Sequence, residues 1–159
     1  MQMEPHASIA SSVRYARQEN DFYCGPAVVQ MILSFFGKES SQSELGARLH
    51  TDATVGTRIG NIEQFLAETG ISYRKENNTT LDMLAQAVTA GNLVVVGYRE
   101  LEENVPHYAL ASNLFGDEIQ LLDPWHGEDF VLPLSEFLAR WTDDENEAYG
   151  QRMMLVIEQ

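Results

Sequence analysis

Between Val28 and Phe36, apolar residues recur three and four apart, at Val28, Met31, Ile32, Phe35 and Phe36. This spacing predicts a largely buried helix that starts at Gly25 or Pro26, carries Pro26 in its first turn and stops at Gly37. "SQSELGARLH" opens with Ser41 and Glu44 in capping-box spacing, and "NIEQFLAETG" ends on Gly70, so two further short helices are expected. "ISYRK" reads as a short strand. "TLDMLAQAVTAG" places Leu81, Leu84 and Val88 on one stripe and terminates at Gly91, a fourth helix.

After Gly91 the period changes. "NLVVVGYRE", "HYALASNLF", "DEIQLLDP", "DFVLPL" and "MMLVIEQ" are short β-prone runs separated by turn residues. Only "SEFLARW", with Ser135 as its cap, has helical texture in this half. A helical first half followed by a strand-rich second half predicts an α+β fold with an antiparallel sheet, in which residues of the two halves meet across a cleft. No internal repeat or Pro/Gly-rich linker divides the chain, so residues 1–159 are expected to form a single domain.

Composition narrows the function. The sequence is 44% hydrophobic and 21% charged, which suits a packed core. Ten Lys and Arg against 24 Asp and Glu give a formal charge of -14, which opposes the attraction nucleic-acid binders exploit, so DNA and RNA are excluded as expected partners. The acidic runs 100–103 and 143–147 solvate a face, or favour a basic peptide substrate or partner. The N-terminal segment has no signal-peptide pattern, and no apolar stretch reaches the roughly 20 residues of a membrane span. A single cysteine builds neither a disulfide nor a Cys-rich zinc site, and the histidines lack paired ligand spacing. A reducing, cytoplasmic setting and no metal or cofactor are the expectations. The glycines of "FGKES" and "VGTRIG" form no phosphate-cradling loop and read as helix stops or turns.

That single cysteine, Cys24, sits where a loop becomes the first helix. There the unpaired backbone N–H groups and the positive end of the helix dipole favour thiolate, the nucleophilic form. Gly25 is expected to leave space for close substrate approach. Six residues earlier, Gln18 offers a neutral amide that, with the Cys24 backbone N–H, could stabilise a tetrahedral oxyanion.

Of the four histidines, His6 lies in an N-terminal tail and His50 ends a polar helix, which leaves His107 and His126. A type I turn over Asn113–Gly116 with a bulge at Gly116 would make a three-residue hairpin loop that pairs Asn113 with Asp117 and His107 with Asp123. Asp123 could then fix the His107 tautomer. A two-residue loop at Gly116-Asp117 would instead set His107 opposite His126 and turn Asp123 to the other face.

With Gln18, Cys24, His107 and Asp123 assembled, the sequence resembles the peptidase C39 and C39-like families of papain-fold cysteine peptidases. The resemblance rests on Gln18 followed five residues later by "CGPA", on "SFFG", on "HYALASNLFGDEIQLLDPWHG" and on "LPLSEFLARW". It implies a papain-like fold with Cys24 as nucleophile, His107 as general base and acid, Asp123 orienting it and Gln18 in the oxyanion hole. Best-known members cleave leader peptides after a double glycine as domains of bacterial peptide exporters. Tyr23 stands where those domains usually carry an aspartate, and no membrane or nucleotide-binding portion is present, so a stand-alone C39-like protein is the nearer match. The expected partner is a peptide or protein substrate, basic or with small residues at the cleavage site. The expected reaction is hydrolysis of a peptide or amide bond through an acyl-enzyme; the alternatives are acyl transfer by the same groups and a peptide-binding domain without activity.

Overall fold

The first helix forms as α1 (Cys24–Phe35) in the structure, a computed structural model that describes residues 12–142 and 149–158. It starts at Cys24 itself, one residue before the earliest expected start, because Ala27 N already donates to Tyr23 O at 3.0 Å. Gly37 closes the helix with a φ of +70°. In α2 (Gln42–Arg48) the Ser41 hydroxyl accepts from Glu44 N at 3.1 Å, while the Glu44 carboxylate takes the Ser40 hydroxyl instead of completing the capping box. Helix α3 (Ile59–Glu68) begins before the expected "NIEQ", so Gly60 lies inside its first turn and is not a turn glycine. Thr80 caps α4 (Leu81–Thr89). His6 and the acidic run 143–147 lie outside the described residues.

The strands β1 (Tyr73–Glu76), β2 (Leu93–Arg99), β3 (Pro106–Phe115), β4 (Glu118–Asp123), β5 (Gly127–Pro133) and β6 (Met154–Ile157) form one antiparallel sheet in the order β1-β6-β2-β3-β4-β5. The fold class is therefore the expected α+β. "LVVVGYR" lacks polar alternation because β2 lies inside the sheet and both of its faces are covered. Leu93 and Val95 pack towards α1, α2 and α3; Val94, Val96 and Tyr98 pack towards α4 and α5 (Leu134–Arg140). Among the described residues no helix is long and apolar enough to cross a membrane.

Two local expectations are corrected. Ser135 does not cap α5: Pro133 occupies the N-cap with no side-chain bond, and Leu134 N donates to Asp117 O of the β3–β4 turn at 2.8 Å. That turn is a two-residue loop, Gly116-Asp117, flanked by the pair Phe115–Glu118. Gly116 takes a φ of +61° at the first central position, which only glycine adopts without strain. A bulge at Ser112 then shifts the register by one, to Ala111–Leu121 and Leu110–Leu122. The bulge undoes the reversal of faces a two-residue loop would impose, and its hydroxyl donates to Gln120 O at 3.1 Å. Continued by one step, the register sets Asp123 level with Ala109, so His107 is its diagonal neighbour on the same face and not its directly opposed partner.

Candidate active site

Asp123 ends β4 and is wholly buried, and both of its carboxylate oxygens are hydrogen-bonded. His107 Nε2 lies 2.8 Å from Oδ1, the backbone N–H groups of Trp125 and His126 donate to the same oxygen at 2.9 and 3.0 Å, and the Tyr98 hydroxyl donates to Oδ2. Pro124 explains the two backbone donors, since it bends the chain straight after Asp123 and brings the following amides round to the carboxylate. Burial alone would raise the Asp123 pKa. The charge and hydrogen bond of His107, aided by Tyr98 and His126 N, outweigh it and hold the carboxyl below its ordinary value. His107 is the converse case: burial would lower it, yet Asp123 and then Cys24 push it up to about 10.

With Nε2 committed to Asp123, Nδ1 is the ring nitrogen left for the Cys24 side. Cys24 is 8% exposed, and with His107 it borders a cleft of about 540 Å³ walled by Phe22, residues 53–57, Val105 and Tyr108. Cys24 thus lies where the buried cluster on this side of the sheet meets the cleft. Gly25 serves a different purpose from the one expected. A methyl group there would overlap the Thr57 side chain, so its missing Cβ admits the cleft wall rather than a substrate. Thr57 is in turn held by Thr51 Oγ1 at 2.6 Å and, through its carbonyl, by the Tyr108 hydroxyl at 2.7 Å. Tyr23 faces away from the cleft, with its hydroxyl where a side chain on Gly46 of α2 would be.

Gln18 is 8% exposed and tied to the Asp123 turn, its backbone N–H donating to Pro124 O at 3.0 Å. Its Nε2 donates to Asn20 O at 2.9 Å and keeps a second N–H, while Asn20 Oδ1 accepts from Phe22 N at 3.0 Å and sets the loop into α1. Gln18 lines a second cavity, of about 190 Å³, with Asp21, Glu100, Glu103, Val105, His107 and Trp125. His107 therefore borders both spaces, with Cys24 in one and Gln18 in the other. His50 is exposed, and His126 turns from the cleft to Glu100 at 2.8 Å. Burial would raise the Glu100 carboxyl, but the N–H groups of Glu103 and Glu102 and the His126 ring hold it below its ordinary value.

The family model described as the Peptidase C39 family matches residues 12–144. The chain belongs to the C39 peptidase family. Its structure is similar to the peptidase domain of Streptococcus ComA, a bi-functional ABC transporter involved in quorum sensing, with a TM-score of 0.73 at 17% identity over 92% of this chain and 98% of that one. A double-glycine-motif protease from an AMS/PCAT transporter, solved with its leader peptide, gives 0.71 at 16% identity over 91% and 90%. A Bacillus anthracis protein described as a C39-like peptidase gives 0.69 at 14% identity over 94% and 96%. At these identities the likeness is one of fold. No curated protein matches the chain.

In this C39 family member, Tyr98 and Asn20 are site residues that the sequence pattern did not single out. Tyr98 had a readable signal, since β2 pairs it with His107 and so places it on the same face. Burial and the Asp123 charge raise its pKa and keep it a hydrogen-bond donor. Tyr98→Phe leaves Oδ2 of a buried carboxylate without its partner. The expected cost is about 1–3 kcal/mol, read as a lower urea midpoint at an unchanged slope; an unchanged midpoint would show that the bond adds nothing.

Proposed function

We propose that the chain is a thiol peptidase acting on an extended peptide, with residues 1–159 working as one domain. The observation that carries this reading is the His107 ring, held by Asp123 on one nitrogen and bordering the Cys24 cleft. In the proposed reaction Cys24 Sγ, as thiolate, attacks the scissile carbonyl carbon and forms a C–S bond. The resulting oxyanion is taken up by the free N–H of Gln18 and the Cys24 backbone N–H. Collapse breaks the C–N bond as His107 gives its Nδ1 proton to the leaving amine, leaving an acyl thioester on Cys24. Water then adds, its proton passes to His107, the C–S bond breaks and the carboxylic acid departs.

An extended peptide suits two cavities that share His107 in their lining, and a leader peptide occupies the similar transporter protease. The test is incubation with peptides containing Gly-Gly, followed by mass spectrometry. Expected are new termini at one bond, absent after Cys24 is blocked with iodoacetamide. Products found only on an added amine would mean acyl transfer, and peptide binding without turnover would mean a binding domain.

A further inference from the structure

The second cavity is acidic on a scale its size makes selective. Asp21, Glu100 and Glu103 line it, and none of its lining residues is Lys or Arg. At about 190 Å³ it is smaller than the roughly 300–1,000 Å³ of small-molecule sites, so it suits one side chain. Glu100 is 3% exposed, and its oxygens already accept from Glu102 N, Glu103 N and His126, so it supplies fixed negative charge rather than a mobile group.

An independent feature points to the same ligand chemistry. Among the described residues, Gln18 Oε1, on a side chain more than nine-tenths buried, has no hydrogen-bond partner. An orphaned buried acceptor is costly unless something donates to it. Beside three carboxylates, the group that meets every demand is a cation with N–H donors and no acceptor.

His107 sets which part of a substrate this is. It borders both cavities, whereas Cys24 borders only the larger. The acyl part that becomes bound to sulfur belongs beside Cys24, and the leaving amine, which takes its proton from His107, departs on the far side of the ring. We infer that the cavity formed by Gln18, Asp21, Glu100, Glu103 and Trp125 receives a lysine or arginine side chain immediately after the scissile bond. This rests on the peptidase reading for the direction of the substrate, but not for the binding itself.

The test uses blocked peptides that share Gly-Gly and differ only in the next residue: Lys, Arg, Ala or Glu. Binding to the Cys24→Ala protein is followed by fluorescence anisotropy, and cleavage by the parent by mass spectrometry. The Lys and Arg peptides should bind about tenfold more tightly than the Ala peptide, and the Glu peptide more weakly still. The advantage should shrink in Asp21→Asn/Glu103→Gln and fall with added salt. Equal affinity for all four peptides, no detectable binding of the Lys peptide, or a preference that survives in the double variant overturns the inference. Cleavage without such preference leaves the peptidase reading intact, and preference without cleavage removes that reading alone.

Discussion

Cys24→Ala is expected to lower kcat/KM for peptide cleavage by about 10⁵-fold or more, because the proposed acyl intermediate forms on its sulfur. The loss should not come from unfolding. Cys24 borders a cleft, and the substitution keeps the start of α1, where Pro26 and the Tyr23 carbonyl bond hold the first turn. Combining Cys24→Ala with His107→Ala should then cost little more, since groups that act as one unit do not add. Steady-state cleavage by the parent, both single variants and the double variant checks this. Activity of Cys24→Ala within tenfold of the parent would remove the sulfur from the mechanism.

Asp123→Asn carries the next largest effect, a fall in kcat/KM of about 10²- to 10⁴-fold. The amide is isosteric, and its oxygen can still accept from Trp125 N and His126 N, so the turn should persist. What disappears is the negative charge that outweighs the burial of His107. The same charge sets a pH signature. His107 is raised from 6.5 to about 10, so its contribution to stability is complete below 6.5 and is lost as pH rises towards 10. Asp123 is lowered from 3.8, so its contribution is present above that value and is lost as pH falls through its depressed value. The parent's urea midpoint should therefore be highest between these two ordinary values and decline on either side from this pair. In Asp123→Asn the alkaline decline should flatten. A variant with the parent's activity and the same pH profile would show that Asp123 is only a turn residue.

The helices were legible because their signals are local. Gly37, Gly70 and Gly91 stop helices with positive φ where expected, and Ser41 caps α2 as its spacing from Glu44 suggested. The meeting of His107 with Asp123 was legible only by parity. The expected three-residue loop and the observed two-residue loop with a Ser112 bulge both place the two groups on one face, and the sequence carries no strong mark for a bulge at a serine. Gly25 was misread because the residue that needs its space, Thr57, comes from a segment 32 positions later. The second cavity was hidden for the same reason: Gln18, Glu100 and Trp125 come from three separate loops, and nothing local announces that they converge. The acidic run 100–103 hinted at a basic peptide without saying where it would bind.

All of this turns on whether His107 and Cys24 work as a pair. The direct measurement is the rate of Cys24 alkylation by iodoacetamide against pH, in the parent and in His107→Ala, with the labelled residue confirmed by mass spectrometry. The account predicts that the parent is labelled faster than His107→Ala, most clearly at neutral and mildly acidic pH, because the charged ring beside Cys24 is gone in the variant. Parent and variant following the same alkaline curve would contradict it.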